Sequence, residues 1–273
     1  MTSLRLLACQ INVPPMTTLR ERDAHLDVMV KKVDAELANT PTDVVVLPEL
    51  ASLDYARATF DELETLAEPL DGPSFQKWST LAQKHKCHVV YGFARHAEGH
   101  NFISTAAVCP DGKLIGHYDK LHLCHYGAGM EKDYFTAGGH ISTFTVNGIK
   151  LAPIICYDIR IPELCRPLTL THNVDVILHC GAYFRDESFA TWHPFAQTRA
   201  MENQIYLLSL NRAGKNYGES LFCPPWMDEL TPPTQFPARA EMLKHITIDR
   251  QTIVKTRKNY TFLGDRHADY TAL

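Results

Sequence analysis

Short apolar runs that end abruptly on a functional side chain constrain this sequence more than any other feature. Leu151-Ala152-Pro153-Ile154-Ile155 reads as a buried strand and stops at Cys156. Helix signals follow at once. Pro162 is placed for a first turn, Glu163 suits the positive end of a helix dipole, and Leu164, Leu168 and Thr171 come at helical spacing. Asp43-Val44-Val45-Val46-Leu47-Pro48 is a second such run and stops at Glu49. A third, over 113–118, runs into Asp119 and Lys120. Runs that stay apolar instead of alternating mark strands covered on both faces.

The rest of the chain supplies the cover. Its patterns predict further strands over 4–10, 87–93, 102–109, 141–146, 174–180, 205–210, 220–222 and 243–248. Helices are expected over 20–37, 60–68, 74–86, 161–171 and 189–203, the third with Ser74 as N-cap and the last with Phe195 and Met201 inward. Pro110-Asp111-Gly112 and Asn147-Gly148 are hairpin turn signals, and residues from 249 onward read as a polar end. There is no repeat and no Gly/Ser or charged linker. Strands alternate with helices in both halves with hairpins between them. This predicts an α/β protein of two mixed sheets with helices outside, in one domain over 1–273.

A chain of 273 residues buries roughly three-quarters of its unfolded surface, so it needs no disulfide or metal staple. Its eight cysteines form no C-x-x-C pair and read as reduced, mostly packed residues of a cytoplasmic protein. A net charge of -4 argues against nucleic acid or an anionic membrane surface as partner. Neither a signal-peptide pattern nor a membrane-length apolar window is expected.

Glu49, Lys120 and Cys156 share one placement, just past the end of an apolar strand, where sheet-based folds build their sites. Buried Lys and Glu are rare unless paired. A lone cysteine at such a point is more often simply packed, but converging N–H groups there favour a thiolate. With its companions a mechanism is complete: Glu49 takes the thiol proton, and Lys120 stabilises the thiolate and an oxyanion formed by attack on a carbonyl.

Three stretches, Leu47-Pro48-Glu49-Leu50, Tyr118-Asp119-Lys120-Leu121-His122-Leu123 and Ile155-Cys156-Tyr157-Asp158-Ile159-Arg160-Ile161-Pro162-Glu163, resemble in order and spacing the signatures of the nitrilase, or carbon–nitrogen hydrolase, superfamily. The resemblance implies an α-β-β-α sandwich that pairs into a homodimer or higher homo-oligomer, and a reaction that needs no cofactor or metal. It implies Cys156 as nucleophile forming a thioester, Glu49 as general base, and an oxyanion held by Lys120 and the Tyr157 backbone N–H. Glu131, in a segment with Phe135 and Gly138, would orient the lysine and the substrate. The tail over 265–270 resembles the family's closing segment and implies an oligomer contact within 249–273. Cys156-Tyr157-Asp158, Arg160, Gly181-Ala182-Tyr183, Trp192, Arg199-Ala200 and Glu202-Asn203-Gln204 are similar to the ω-amidase and deaminated-glutathione amidase branch. Arg160, Tyr183 and Trp192 are therefore candidate substrate contacts, and Tyr126 and Phe184 join them as aromatics able to wall a pocket, with core packing as the alternative reading for the aromatics. For Arg160, binding an acidic substrate and tying down the strand-to-helix turn stand side by side.

Two regions depart from that branch. The segment between Lys120 and Glu131 is shorter and nearer in length to amidases of amino-acid amides. Residues 220–237, with Pro224-Pro225 and Pro232-Pro233, replace the usual strand and turn. The expected activity is hydrolysis of a small linear amide, with N-carbamoyl amidohydrolase, amino-acid amide amidase and an idle scaffold subunit as alternatives. His122, Cys124, His125, His179 and Cys180 match no zinc spacing and read as packing residues. Arg185-Asp186-Glu187 reads as a solvated loop face.

Overall fold

A computed structural model describes residues 2–267 and Tyr270. The first half runs β1 (Ser3–Gln10), α1 (Leu19–Leu37), β2 (Val44–Val46), α2 (Arg57–Phe60), α3 (Leu63–Leu66), α4 (Pro73–His85), β3 (His88–Ala97), β4 (His100–Val108) and β5 (Leu114–Asp119). The second half runs β6 (Phe144–Val146), β7 (Ile149–Ile155), α5 (Pro162–Leu170), β8 (Val176–Cys180), α6 (Phe189–Asn203), β9 (Tyr206–Leu210), β10 (Leu221–Cys223) and β11 (Thr234–Gln235). The chain then returns to the first sheet as β12 (Met242–Asp249) and ends in α7 (Arg250–Asn259) and α8 (Phe262–Asp265).

The strands form two six-stranded sheets, ordered β12-β1-β2-β3-β4-β5 and β11-β10-β9-β8-β7-β6. Each has a parallel centre, β1-β2-β3 and β7-β8-β9, with antiparallel hairpins at the flanks. Period-2 alternation turns each central strand into a two-sided wall. On β1, Leu4, Leu6 and Ala8 enter a core shared with Leu151, Val176, Leu178 and Leu208 of the facing sheet. Leu7 and Cys9 point the other way, onto Leu26, Met29 and Val33 of α1 and Trp78 and Leu81 of α4. On β7, Leu151 joins the inter-sheet core while Ala152 and Ile154 pack on Leu164 and Leu168 of α5 and Trp192 and Ala196 of α6. The result is the α-β-β-α sandwich: two helices, two sheets, two helices.

Several elements differ from their sequence expectation. The helix expected over 60–68 is two single turns, α2 and α3, in which Thr59, Phe60, Leu63 and Leu66 are buried. Helix α4 starts one residue before Ser74, at Pro73, with Gly72 as N-cap. The Ser74 N–H and hydroxyl both donate to buried Glu68, at 2.6 and 2.7 Å, so a carboxylate closes this helix start from outside it. In α6 the fully inward stripe is Trp192, Ala196, Arg199, Ala200 and Asn203, while Phe195 and Met201 are half-buried. The polar end contains α7, capped by the Asp249 side chain on Gln251 N–H and anchored by buried Ile253 and Thr256. Of the tail over 265–270, Ala268 and Asp269 lie outside the described residues, as do Thr271 to Leu273.

One close approach shows how the frame grips a functional turn. Gly92 of β3 lies against residues 48–50, where a Cβ would meet the Pro48 carbonyl and come within 2.7 Å of Leu50 N and 2.9 Å of Glu49 Cα. Gly92→Ala is therefore expected to cost about 1–3 kcal/mol through overpacking. A urea midpoint equal to that of the parent would refute this.

Candidate active site

Three strand ends deliver three side chains to one point. After β2 the Leu47 N–H still donates to Val90, at 2.8 Å, and the chain then turns through Pro48 and Glu49 into Leu50 at φ +46°. Fully buried Arg212 holds that turn. Its Nε donates to the Glu49 carbonyl at 3.1 Å, and its Nη2 to the Leu50 and Leu53 carbonyls at 2.7 and 2.6 Å. Lys120 follows β5, with its own N–H on Ile103 O at 2.9 Å. Cys156 follows β7 and opens a 3-10 helix over Cys156–Arg160 with φ +44°, a left-handed setting that strains a residue with a Cβ.

Buried Asp158 locks the second and third of these ends together. One oxygen accepts from the Tyr118 hydroxyl at 2.7 Å and the Ile155 N–H at 2.9 Å. The other accepts from the His122 N–H at 3.0 Å and meets His122 Nδ1 at 2.8 Å. Because Lys120 lies between Tyr118 and His122, its backbone is fixed relative to Cys156.

At the centre Lys120 Nζ lies 2.8 Å from Glu49 Oε1 and 2.6 Å from Glu131 Oε1, and all three side chains are fully buried. Glu131 is further satisfied by the Tyr55 hydroxyl at 2.9 Å and the Cys124 N–H at 2.8 Å. Glu49 Oε2, by contrast, is buried with no hydrogen-bond partner among the described residues. Burial alone would lower the Lys120 pKa, but the Glu131 and Glu49 carboxylates beside it carry it well above the usual lysine range. Burial raises Glu131 above the ordinary carboxylate range, with Lys120 opposing. Burial, then Glu49, pushes the Cys156 thiol well up, against the smaller opposite pull of Lys120. Burial and the Glu49 carboxylate thus favour the thiol over the thiolate, the direction opposite to the strand-end expectation.

Cys156 opens onto a cavity of about 40 Å³ lined also by Tyr55, Tyr126, Glu131, Tyr157, Arg160, Tyr183 and Asp186. Arg160 stands at this wall with Nη1 donating to Thr191 Oγ1 at 2.9 Å and its guanidinium 5.0 Å from the Phe195 ring centre. Both readings of Arg160 thus have a structural counterpart. Tyr126 is 40% exposed and meets Tyr157 edge to face. Trp192 is the correction among the expected substrate contacts. It is fully buried behind Tyr183, stacked at 4.5 Å between ring centres, and its Nε1 donates to Ser209 Oγ. Asp186 departs from a solvated loop face: its carboxylate accepts from the Ala128 N–H at 3.0 Å and from Ser188, and it lines the cavity.

Tyr55, Asp158, Arg212, Ser209 and His179 escaped sequence reasoning as parts of this site. His179 Nε2 lies 2.9 Å from the Cys156 carbonyl and Nδ1 lies 2.7 Å from Ser209 Oγ. Its neighbours are thus hydrogen-bonding side chains and the carbonyl of the cysteine at the strand end. The only local signal for Arg212 is an arginine two residues past an apolar run.

Residues 6–258 match the carbon-nitrogen hydrolase family. The chain belongs to that family, within the nitrilase superfamily, and is a carbon–nitrogen hydrolase. It is 31% identical over 249 residues to the 2-oxoglutaramate amidase of Bacillus subtilis (strain 168), covering 88% of this chain and 92% of that one. The human omega-amidase NIT2 is 25% identical over 250 residues, covering 87% and 88%. In fold, Saccharomyces cerevisiae Nit3, a member of branch 10 of the nitrilase superfamily, superposes with a TM-score of 0.82 at 23% identity, over 95% of this hydrolase and 94% of Nit3. Among the described residues no helix is long and apolar enough to cross a membrane.

Burial holds His179 at a pKa of about 4, so folding keeps it neutral while the unfolded chain protonates it below about 6.5. The unfolded state binds more protons between those values, and stability falls as pH drops through this window, by up to about 1.4 kcal/mol per pH unit. Glutamine at 179 removes that titration. Urea midpoints of His179→Gln measured from pH 7 to 4.5 are expected to decline less steeply than the parent's, and parallel curves would contradict the assignment.

Proposed function

We propose that this hydrolase is an amidase working through a Cys156 thioester. The observation that carries the reading is the Glu49–Lys120–Glu131 cluster. It is fully buried behind Cys156, with Glu49 Oε2 unpartnered and able to accept a proton. In the proposed sequence Cys156 Sγ bonds to the amide carbon as its proton passes to Glu49. The negative charge moves to the carbonyl oxygen, beside the Lys120 ammonium and the Tyr157 N–H. Glu49 returns the proton to the leaving nitrogen, the C–N bond breaks, and ammonia departs. Glu49 then takes a proton from water, whose oxygen attacks the thioester; the C–S bond breaks as Glu49 returns the proton to Sγ, which frees the carboxylic acid and restores the Cys156 thiol. Starting from a neutral thiol suits this order, since proton transfer and attack then proceed together.

For the substrate we infer a small ω-amide of a dicarboxylic or keto-dicarboxylic acid, the chemistry named in the amidase relatives. What supports it in this chain is Arg160 on the wall of the same cavity, since a guanidinium pairs bidentately with a carboxylate. A neutral amino-acid amide is the second reading. It is favoured by the short segment between Lys120 and Glu131 and by the (R)-stereoselective amidase of Pseudomonas sp, 28% identical over 233 residues.

Ammonia release separates the readings. Wild type, Cys156→Ala and Arg160→Ala are assayed on succinamate, propionamide, an amino-acid amide and an N-carbamoyl acid. Cys156→Ala is expected to be inactive on all. Arg160→Ala is expected to raise KM for succinamate about 10- to 100-fold, the worth of one charge-assisted contact, with propionamide unchanged. Activity surviving in Cys156→Ala would end the thioester reading. Equal effects of Arg160→Ala on both amides would make that arginine purely structural.

A further inference from the structure

We infer that His179, with Tyr183 beside it, is a positioning residue that aims the oxyanion-binding N–H of Tyr157 by gripping the opposite end of the same peptide plane. This rests on the amidase reading above and deepens it. The peptide joining Cys156 and Tyr157 is rigid and planar, so its carbonyl and its N–H point in opposite directions and cannot turn independently. The Tyr183 hydroxyl donates to the Cys156 carbonyl at 2.7 Å, and His179 Nε2 lies 2.9 Å from the same oxygen. Two donors converging from one side set the rotation of the plane, and with it the direction of the Tyr157 N–H. That N–H belongs to the second residue of the 3-10 helix, where no intrahelical acceptor exists for it.

The proton positions follow from donor and acceptor counting. The Trp192 indole only donates, and it donates to Ser209 Oγ at 2.7 Å. The Cys156 carbonyl only accepts, so the His179 Nε2 facing it at 2.9 Å carries the ring's single hydrogen. Nδ1 is then an acceptor, and Ser209 turns its own proton toward it, 2.7 Å away. The chain Trp192–Ser209–His179–Cys156 thus runs in one direction. Trp192, Ser209 and His179 are all fully buried, so water does not compete for the bonds between their side chains. Such a grip has a reason in the backbone. Cys156 sits at φ +44°, a conformation a non-glycine residue keeps only when its surroundings enforce it. His179 reaches this point because β8 pairs in parallel with β7, Ile154 opposite His179, which sets its ring beside the Cys156 turn.

The test separates oxyanion stabilisation from thiol reactivity. His179→Ala, His179→Gln and Tyr183→Phe are assayed for kcat and KM on succinamate and propionamide. Inhibition by succinic semialdehyde and propionaldehyde, which form oxyanion-bearing adducts with the thiol, is measured alongside. So is the rate at which methyl methanethiosulfonate labels Cys156, followed by mass of its peptide; that reaction builds no oxyanion. His179→Ala is expected to lose about 10- to 100-fold in kcat with KM within twofold, since loosening a donor costs less than the 10²–10³ of deleting one. Aldehyde inhibition is expected to weaken by a similar factor with the labelling rate unchanged. His179→Gln, which keeps a donor at the Nε2 position, is expected to recover most of both, and Tyr183→Phe to resemble His179→Ala. A labelling rate that falls with kcat, or aldehyde affinity that stays at the parent value, would overturn the inference. A parent that turns over amides but is not inhibited by either aldehyde would also overturn it. Activity retained by Cys156→Ala, in contrast, would bring down the amidase reading itself.

Discussion

A single ammonium held between two buried carboxylates governs this site. Lys120 meets Glu49 and Glu131 with all three side chains fully buried, and such a cluster persists in a protein interior only where geometry compensates the lost hydration. Glu131 achieves this by filling its remaining positions with Tyr55 and the Cys124 N–H, whereas Glu49 keeps one oxygen empty. The asymmetry distinguishes the two carboxylates: both oxygens of Glu131 are hydrogen-bonded, whereas one oxygen of Glu49 has no partner among the described residues. Burial, with the Glu49 carboxylate beside it, favours the Cys156 thiol over its thiolate.

Holding three strand ends to that tolerance requires a stiff frame, and the sandwich supplies one. The parallel centres of both sheets are covered on two faces, so the turns after β2 and β7 emerge from packed core, while the turn after β5 leaves an edge strand whose last two residues, Tyr118 and Asp119, are buried. Long-range polar ties finish the alignment. Asp158 joins the β5 and β7 ends, Arg212 reaches across from the end of β9 to the turn that bears Glu49, and Gly92 leaves room for that turn to lie against β3. Two of the left-handed residues, Leu50 and Cys156, sit at the turns so held.

Much of this frame was readable one residue at a time. Continuous apolar runs such as Leu151 to Ile155 admit few conformations other than a buried strand, and Asn147-Gly148, both at positive φ, took the hairpin turn their side chains favour. Helix α6 begins and ends where its pattern says. Signals failed where a neighbour distant in sequence overrode them. Glu68 closes the start of α4 in place of Ser74, and α2 and α3 break a helical pattern into two turns because Phe60, Leu63 and Leu66 have a separate core of their own to fill. The polar residues of 250–259 became a helix on the strength of an Asp249 cap and two buried side chains, too few to register as periodicity.

What the sequence determined by itself is the set of local commitments: strands that must be covered on both faces, and a glutamate, a lysine and a cysteine each set at a strand end. Those follow from hydrophobic pattern and backbone preference, which act over a few residues. What only the tertiary structure decided is which polar atoms meet. Trp192 stands behind Tyr183 and not in the cavity, His179 finds the Cys156 carbonyl, and one oxygen of Glu49 goes without a partner. Hydrogen bonds and ion pairs depend on distances of a few tenths of an ångström between residues far apart in the chain, and only the packed sheets set those distances.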